Sequence, residues 1–267
     1  MDWKTIESRS NPAVKFAASL SDKKARDKDG VFPSEGITLF FDFCQRGIYP
    51  QKVYLSEKAI ALKEKIDLSL NGISCEKYLL SPSAFEKVTT EKGSQGLVCV
   101  YSTQNVFEKN PLEKWNRLVA LECIQDPGNV GTIIRTAASF GFDGVLLVSC
   151  ASLFGPKAIR ASMGAISRIP IKEFSDTDSL FEFLNEKKVK SVAACLKAES
   201  VPIHQADLSE PVCVLIGNEG HGLSEKAQCL ADSSVIIPIS GMESLNAAAA
   251  ATVFLWEIGR RGMQGEG

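Results

Sequence analysis

The feature that most constrains the fold is a regular alternation of apolar and helical segments in the C-terminal part of the chain. Five segments have the nearly unbroken apolar character of buried strands: RLVALEC, GVLLVS, SVAACL, PVCVLIG and SVIIPI. The helical segments among them are NVGTIIRTAASFG, PKAIRASMGA, DSLFEFLNEKK, SEKAQCLA and ESLNAAAAATVFLWEIGRR. Buried strands that alternate with helices are typical of a parallel sheet covered on both faces. The sequence therefore predicts an α/β fold with a C-terminal parallel-sheet domain.

A domain boundary is predicted between residues 105 and 106. The segment Thr103–Asn116 is polar, is interrupted by a proline and has no β-strand period. Before it, EGITLFFDFCQRGI has the pattern of a helix, and PQKVYLSE and GLVCVYS have the pattern of strands. A chain of 267 residues is long enough for two modest domains. We expect a smaller α/β domain over 1–105 and the parallel-sheet domain over 106–267.

Composition excludes several classes of protein. No apolar run reaches the ~18 residues that a membrane span requires, and the N-terminal segment lacks the apolar core of a secretory signal. The cysteines form no CxxC pair, and several lie inside apolar runs, which indicates reduced core residues in a cytoplasmic protein. His204 and His221 are too few and too scattered for a zinc site, so no metal is expected. Because the net charge is −2, binding of nucleic acid would require a local basic patch.

A glycine-rich loop, IGNEGHGLSE (Ile216–Glu225), follows one of the predicted strands. Its glycines do not have the order of a dinucleotide fingerprint, and the chain has no Walker A lysine. The carboxylate of Glu219 would also repel a phosphate. The loop is therefore either a tight turn or a site for a ligand without phosphate at this position.

A second polar segment joins the strand RLVALEC to the helix after it. Asp126–Asn129 has the composition of a turn, and Arg135 stands among Ile133, Ile134 and Ala137. The guanidinium group of arginine favours a carboxylate or a phosphate as its partner. A structural salt bridge and a ligand contact both remain possible for Arg135.

A third polar segment follows the strand SVIIPI. Ser240–Glu243 fits a helix capping box, and Ser244 could equally be the cap. All three polar segments lie at the carboxyl ends of predicted parallel strands, where open α/β sheets bind ligands.

The segments QDPGNVGTIIRTA, IGNEGHGLSE and IPISGMESLNAAAAA together resemble the three motifs of the SpoU/TrmH RNA ribose methyltransferases, which belong to the SPOUT superfamily. The similarity extends from Leu118 to about Arg260. VFPSEGITLFFDFCQRGIYPQKVYLSE and SQGLVCVY resemble the ribosomal-protein-like substrate-binding domain that often precedes it. The resemblance implies S-adenosylmethionine as methyl donor, a deep trefoil knot near the C-terminus and a homodimer.

The resemblance also assigns site residues. The positions that match donor contacts are Gly217, Ile237 and Leu245, and in the glycine loop small residues would let the main chain approach the donor. The positions that match the polar catalytic site are Asn129, Arg135, Glu219, Ser244 and Asn246. In the family, the residue that corresponds to Arg135 acts on the ribose 2′-hydroxyl, either as base or by holding a neighbouring phosphate. The loop ISGMESLN is one residue shorter than the commoner loop of the family.

The activity implied is methylation of a ribose 2′-hydroxyl in RNA. Ribosomal RNA is favoured over tRNA by analogy with enzymes that carry a domain of this kind before the methyltransferase domain. In that arrangement, 1–105 binds the RNA substrate, with phosphate contacts expected from the basic segments SRSNPAVK and SDKKARDK, including Lys23, Lys24 and Arg26. The alternatives are a tRNA methyltransferase, a non-catalytic RNA-binding assembly protein, and a nucleotide-binding enzyme of ordinary doubly wound fold.

Overall fold

The structure is a computed structural model that describes residues 2–240 and 244–263. Its contacts divide the chain into two compact units. The first unit comprises Met1–Lys109 and Phe154–Ser167, and the second comprises Asn110–Leu153 and Arg168–Gly267. The predicted α/β class is confirmed, because each unit contains a sheet with helices.

The first unit is built on a five-stranded mixed sheet with the strand order β1-β4-β3-β5-β2. Strands β1, β4 and β3 are parallel, and β5 is antiparallel to both β3 and β2. The strands are β1 (Lys4–Ile6), β2 (Val31–Glu35), β3 (Lys52–Ser56), β4 (Glu76–Leu80) and β5 (Leu97–Ser102). The helices are α1 (Pro12–Ser19), α2 (Lys23–Asp29), α3 (Ile37–Gln45), α4 (Lys63–Ser69), α5 (Pro82–Val88) and α6 (Thr103–Lys109).

Capping side chains and prolines mark the N-termini of two of these helices, α1 and α5. The side chain of Asn11 accepts a hydrogen bond from the Ala13 amide before α1, and the side chain of Ser81 does so from the Ala84 amide before α5. Both helices have proline in the first turn, where its missing N–H costs nothing. Their inner faces contribute Val14 and Phe85 to one buried apolar cluster.

The prediction that Arg26 contacts RNA is wrong, because the side chain is buried beneath helix α2. The helix runs from the cap Asp22 to Gly30, which has a φ of 62°. Arg26 lies on its inner face with 5% exposure, and its Nη1 donates hydrogen bonds of 2.9 Å to the carbonyls of Leu20 and Ser21. Burial lowers the pKa of Arg26, although Asp27 and Asp22 oppose that shift. Arg26 therefore stabilises the fold of the first unit and is not placed to bind a phosphate.

The second unit is built on a seven-stranded sheet with the order β10-β12-β9-β11-β6-β7-β8, and every pairing in it is parallel. The predicted parallel sheet is therefore confirmed. The elements in chain order are β6 (Arg117–Glu122), α7 (Pro127–Ser139), β7 (Gly144–Val148), α8 (Pro156–Ser162), which clusters with the first unit, β8 (Ile171–Phe174), α9 (Thr177–Glu186), β9 (Lys190–Ala194), β10 (Val201–Pro202), β11 (Val212–Ile216), α10 (Glu225–Leu230), β12 (Ser233–Ile236) and α11 (Ala247–Met263).

Helices cover both faces of this sheet. Helix α9 contacts β7, β8, β9 and α10, whereas α11 contacts α7, β6 and β11. The strand residues on the α9 side pack into one buried cluster that includes Leu118, Ala120, Leu146, Cys213 and Leu215. Because successive side chains of a strand point to opposite faces, the residues between them face α7 and α11. Burial on both faces explains the unbroken apolar runs of the central strands.

The edge strands β8 and β10 were not predicted. They are short, and in β8 one buried residue is followed by two exposed ones, so neither strand has the continuous apolar run of the central strands. The predicted helix PKAIRASMGA is present as α8, which ends at Met163 with a φ of 47°. Its segment belongs to the first unit, where the ring of Phe154 lies 4.7 Å from that of Phe32 and 5.5 Å from that of Phe107.

Candidate active site

The three polar segments lie at one edge of the parallel sheet of the second unit. They follow β6, β11 and β12 in the chain, and the carboxyl ends of parallel strands share one edge. Strands β6 and β11 are neighbours, and β9 lies between β11 and β12. The first two segments are therefore adjacent, and the third lies on the other side of β9.

The glycine loop folds back on itself directly after β11. The amide of Asn218 donates to the Gly222 carbonyl, and the amide of Gly222 donates to the Asn218 carbonyl, each at 2.9 Å. The side-chain oxygen of Asn218 accepts from the amides of Gly220 and His221. Gly222 has a φ of 70°, a conformation that glycine adopts without strain. The loop is thus a tight turn with its own hydrogen-bond network.

Gly217 is required first by this turn. A Cβ atom at Gly217 would lie 2.1 Å from the Leu223 nitrogen and 2.2 Å from the Gly222 carbonyl carbon. Such distances are far inside van der Waals contact, so the main chain of the loop itself excludes a side chain. The sequence-based explanation, which gave the approach of a ligand as the reason, is therefore incomplete.

Glu219 joins the glycine loop to the start of α7. Its Oε1 accepts from Asn129 Nδ2 at 2.8 Å and from the Asp126 amide at 3.3 Å. Its Oε2 accepts from the Gln125 amide at 3.3 Å. The two amides lie immediately before the N-terminus of α7, where the helix dipole places partial positive charge, so a carboxylate is well suited to this position. Two of the predicted catalytic residues, Glu219 and Asn129, are thereby brought into direct contact.

The pKa of Glu219 is lowered from its ordinary value. Burial acts in the opposite direction and raises the pKa, but the hydrogen bonds from Asn129, Gln125 and Asp126 together outweigh it. Ionised Glu219 therefore stabilises the folded protein above the ordinary pKa of a glutamate, and this contribution is lost as the pH falls through the lowered value.

This effect predicts the pH dependence of a Glu219→Gln variant. The variant keeps the shape of the side chain and removes its charge, so it should be less stable than the wild type near pH 7. Because protonation removes the same charge from the wild type, the difference in free energy of unfolding should shrink as the pH falls from the ordinary pKa of a glutamate through the lowered pKa of Glu219. Urea unfolding across this range measures the difference. A difference that stays constant with pH would contradict the assigned role of the carboxylate.

Arg135 lies on the outer face of α7. Its neighbours Ile133, Ile134 and Ala137 are buried, whereas Arg135 itself is exposed. Within residues 2–240 and 244–263, no carboxylate forms an ion pair or hydrogen bond with its guanidinium group. The alternative of a structural salt bridge within the described chain is therefore wrong. Its hydrogen-bond donors are available to a ligand.

A cleft of about 560 Å³ opens at the carboxyl ends of β9, β11 and β12. Gly217, Ile237 and Leu245, the predicted donor contacts, all line it, as do Glu219 and Ser244. The further apolar lining includes Leu196, Pro202, Ile236, Ile239 and Phe254. This size and a mostly apolar wall with a few polar groups are typical of small-molecule sites. The cleft therefore fits the adenosine and methionine parts of S-adenosylmethionine.

Asn246 directly precedes α11, and Ser244 lies two residues earlier on the wall of the cleft. The side-chain oxygen of Asn246 accepts from the amides of Ala248 at 2.9 Å and Ala249 at 3.3 Å. Asn246 is therefore the cap of α11, and the prediction that Ser244 is the cap is wrong. The proposed capping box at Ser240–Glu243 and the shortened loop fall on Gly241–Glu243, which lie outside the described residues. Asn129, Arg135 and Asn246 do not line the cleft.

Gln125 and Asn218 are polar site residues that sequence reasoning did not assign. Gln125 Nε2 donates to the carbonyls of Cys123 and Ser149, and Asn218 Nδ2 donates to the same Cys123 carbonyl at 2.8 Å. Cys123 and Ser149 have positive φ angles of 56° and 52°, which are uncommon for residues other than glycine. The sequence offered a signal only for Asn218, which stands two residues before a glycine as in many Asx turns.

The described part of the chain contains neither a metal site nor a membrane-spanning helix. No group of three or more His, Cys, Asp or Glu side chains there could hold a metal ion. None of the described helices is long and apolar enough to cross a membrane.

Each of the two parts of the chain matches the model of a known protein family. Residues 116–256 match the model of the SpoU rRNA Methylase family. Residues 11–99 match the model of the MRM3-like substrate binding domain. The first match spans all three polar segments.

Individual relatives are similar over almost the whole chain. The 23S rRNA (guanosine(2553)-2'-O)-methyltransferase RlmP of Bacillus subtilis is 31% identical over 258 residues, covering 96% of this chain and 99% of that protein. The 23S rRNA (uridine(2479)-2'-O)-methyltransferase of Streptomyces viridochromogenes is 25% identical and covers 97% and 93%. The AdoMet-bound rRNA methyltransferase from Sinorhizobium meliloti has a TM-score of 0.84 at 30% identity, covering 97% of this chain and 98% of that one.

Proposed function

Because the chain belongs to the SpoU rRNA methylase family, we propose that it transfers a methyl group from S-adenosylmethionine to a ribose 2′-hydroxyl of ribosomal RNA. One structural observation supports this proposal most directly. Glu219, in the loop that lines the cleft, binds the first turn of the helix that bears Arg135. The donor cleft and the helix of the proposed catalytic arginine are thus held together as one assembly.

The cleft residues bind the donor. The apolar side chains of Ile237 and Leu245 form the wall for the adenosine part, and Ser244 offers a hydroxyl group at its edge. When bound, S-adenosylmethionine supplies an electrophilic methyl group, which the ribose 2′-oxygen attacks as the carbon–sulfur bond breaks and the hydroxyl proton is released.

Arg135 orients the RNA at this site. A guanidinium group stays protonated in proteins, so it is poorly suited to accept the proton of a 2′-hydroxyl. It is well suited to bind a phosphate through paired hydrogen bonds. We therefore assign Arg135 to the phosphate beside the target ribose, where fixed orientation of the nucleophile supplies the rate enhancement.

Glu219 and Asn129 are positioning residues that join the glycine loop to α7. Both oxygens of Glu219 and the amide nitrogen of Asn129 are used in the contact between the glycine loop and α7. They fix the axis of α7 relative to the loop, and so fix where Arg135 is presented. Asn246 has a comparable role at the start of α11.

The N-terminal region, 1–105, is the proposed RNA-binding part of the enzyme, and 106–267 is the methyltransferase part. The match of residues 11–99 to a substrate binding domain supports this division. Lys23, Lys24 and Lys28 are exposed on α2 and available to RNA phosphates. A fragment that begins near Val106 would separate Phe154 from Phe32, its partner within the first unit, so tests should use the full chain.

Replacing Lys23, Lys24 and Lys28 together with alanine should weaken RNA binding without changing donor affinity. Each lost phosphate contact should reduce the slope of log K against log salt by about 0.7 for single-stranded RNA. Filter binding at several salt concentrations measures the slope. Arg26 must be left in place, because it is buried and its hydrogen bonds to the Leu20 and Ser21 carbonyls stabilise the first unit.

The matched control is the triple alanine variant of Lys65, Lys114 and Lys188. These lysines are also exposed, and their replacement removes the same net charge. This control should bind RNA nearly as the wild type does. Equal losses in the two triple variants would show that net charge alone matters, and the exposed face of α2 would then not be the RNA-binding surface.

A homodimer is the proposed assembly, and α11 supplies the surface that supports it. Ala249, Val253 and Trp256 are exposed on one face of this helix, and 50% of Trp256 is accessible. Apolar side chains at this spacing are typical of a helix face that packs against a partner. We also propose the deep trefoil knot of the family near the C-terminus and a cytoplasmic location, where the eight cysteines would stay reduced.

Two measurements test the proposed function. Calorimetry should detect S-adenosylmethionine binding to the purified protein, and incubation with unmodified ribosomal RNA should yield a 2′-O-methylnucleoside after digestion. A methyl group found on a base would contradict the proposal. Donor binding without transfer to any RNA would favour an assembly protein, and transfer to tRNA alone would favour a tRNA enzyme.

A further inference from the structure

Glu122 is a buried carboxyl group with no part in the chemistry proposed above. It is the last residue of β6 and only 3% exposed. In the described chain no lysine or arginine forms an ion pair with it. A buried carboxyl group without a cation is costly unless hydrogen bonds compensate it. An apolar residue, like those at positions 118–121 of β6, would carry no such desolvation cost at this position.

Three hydrogen-bond donors converge on Glu122. The Ser224 amide donates to Oε2 at 2.8 Å, and the Ser224 hydroxyl donates to Oε1 at 2.8 Å. The hydroxyl of Thr177, the first residue of α9, also donates to Oε1, at 2.7 Å. The Ser224 oxygen accepts in turn from the Ala227 amide, so its own hydrogen is directed to Glu122.

Two of these donors belong to the residue that ends the glycine loop. Ser224 follows Leu223 and is the cap of α10. The other end of the loop is held by the residue after Glu122, because Asn218 Nδ2 donates to the Cys123 carbonyl at 2.8 Å. Adjacent residues at the end of β6 therefore hold both ends of the segment Asn218–Ser224. The loop also lines the donor cleft through Gly217, Asn218 and Glu219.

We propose that Glu122 is a positioning residue for methyl-donor binding, which acts through Ser224 to fix the glycine loop. The proposal rests on the proposed function, because it takes the cleft to be the donor site. Glu122 itself does not line the cleft. Its side chain instead holds the far end of the loop while Cys123 holds the near end.

The test compares three variants of the full chain. In Glu122→Ala the Ser224 amide loses its acceptor, and we expect S-adenosylmethionine affinity to fall about tenfold or more. In Glu122→Gln the amide oxygen still accepts from the Ser224 amide, so the loss should be partly rescued, to about threefold. The KM for RNA should change little in both variants.

Thr177→Val is the matched control. It removes a hydrogen bond from the same carboxyl oxygen but leaves both bonds to Ser224, so it should lower Tm while leaving donor affinity unchanged. An equal loss of donor affinity in Thr177→Val and in Glu122→Gln would overturn the proposal, since Glu122 would then serve stability alone. Donor affinity equal to wild type in folded Glu122→Ala would also overturn it. If Glu122→Ala does not fold, Glu122→Gln against Thr177→Val decides the question.

Hydrogen exchange in the absence of ligand separates this proposal from the proposed function. Amides of Asn218–Ser224 should exchange faster in Glu122→Gln than in the wild type, and at the wild-type rate in Thr177→Val. If this holds while the wild type binds no S-adenosylmethionine, the role of Glu122 in the loop stands and the donor assignment fails. If exchange of the loop is unchanged in Glu122→Gln, the positioning role fails whatever the cleft binds.

Discussion

Replacing Arg135 with alanine is expected to reduce methyl transfer by at least about a hundredfold, the usual effect of removing a preorganised charged contact from a reacting centre. The donor dissociation constant should stay within about threefold of wild type, because Arg135 does not line the cleft. Arg135→Lys should not restore the rate, since an ammonium group cannot form the paired hydrogen bonds of a guanidinium. Single-turnover kinetics and calorimetry measure the two quantities separately.

The control for this prediction is Ser139→Ala, one helical turn further along α7. Its hydroxyl donates to the Arg135 carbonyl at 2.8 Å and, among the described residues, to no other group, so its removal should leave transfer nearly unchanged. Full turnover by Arg135→Ala would remove Arg135 from the mechanism. A parallel loss of donor binding would instead place it in the donor site.

Gly217→Ala is expected to weaken donor binding tenfold to a hundredfold. The added Cβ would lie 2.1 Å from the Leu223 nitrogen, so the loop must move away from its closed turn. Strain of this kind typically costs about 1–3 kcal/mol, and 1.4 kcal/mol is tenfold in a dissociation constant. Calorimetry with S-adenosylmethionine measures the effect, and the thermal transition reports how far the loop is disturbed.

Gly220→Ala, in the same loop, is the matched control. Its Cβ would meet only the Asn218 side-chain oxygen at 3.6 Å, an ordinary contact, and its φ is not positive. Donor affinity should therefore remain near that of the wild type. If Gly217→Ala binds the donor as tightly as Gly220→Ala does, the closed turn is not needed for the donor site.

Much of the second unit could be predicted because its signals are local. The central strands are apolar on both faces, and β6 and β11 are each followed by a helix with its own capping residue, Asp126 and Ser224 respectively. That pattern fixes a parallel sheet and, with it, the common edge at which the three polar segments meet. The edge strands β8 and β10 lack the apolar signal, because they are paired on one side only.

The remaining features depend on which groups the folded chain brings into contact, and the pattern of residues around each one does not signal this. Arg26 stands in a charged segment, yet it is buried because two carbonyls of the preceding turn accept its hydrogen bonds. Glu122 is separated from Ser224 by 102 residues, and only the neighbouring positions of β6 and β11 bring them together. Helix α8 lies in the middle of the predicted C-terminal domain, but it packs within the first unit.

The most direct test of the central claim is a transcriptome-wide map of ribose methylation in cells with and without the gene. One or a few 2′-O-methylated positions of ribosomal RNA should disappear in the deletion strain, return with the wild-type gene, and not return with the Arg135→Ala variant. An unchanged map of ribosomal RNA, or restoration of the lost position by Arg135→Ala, would contradict this claim.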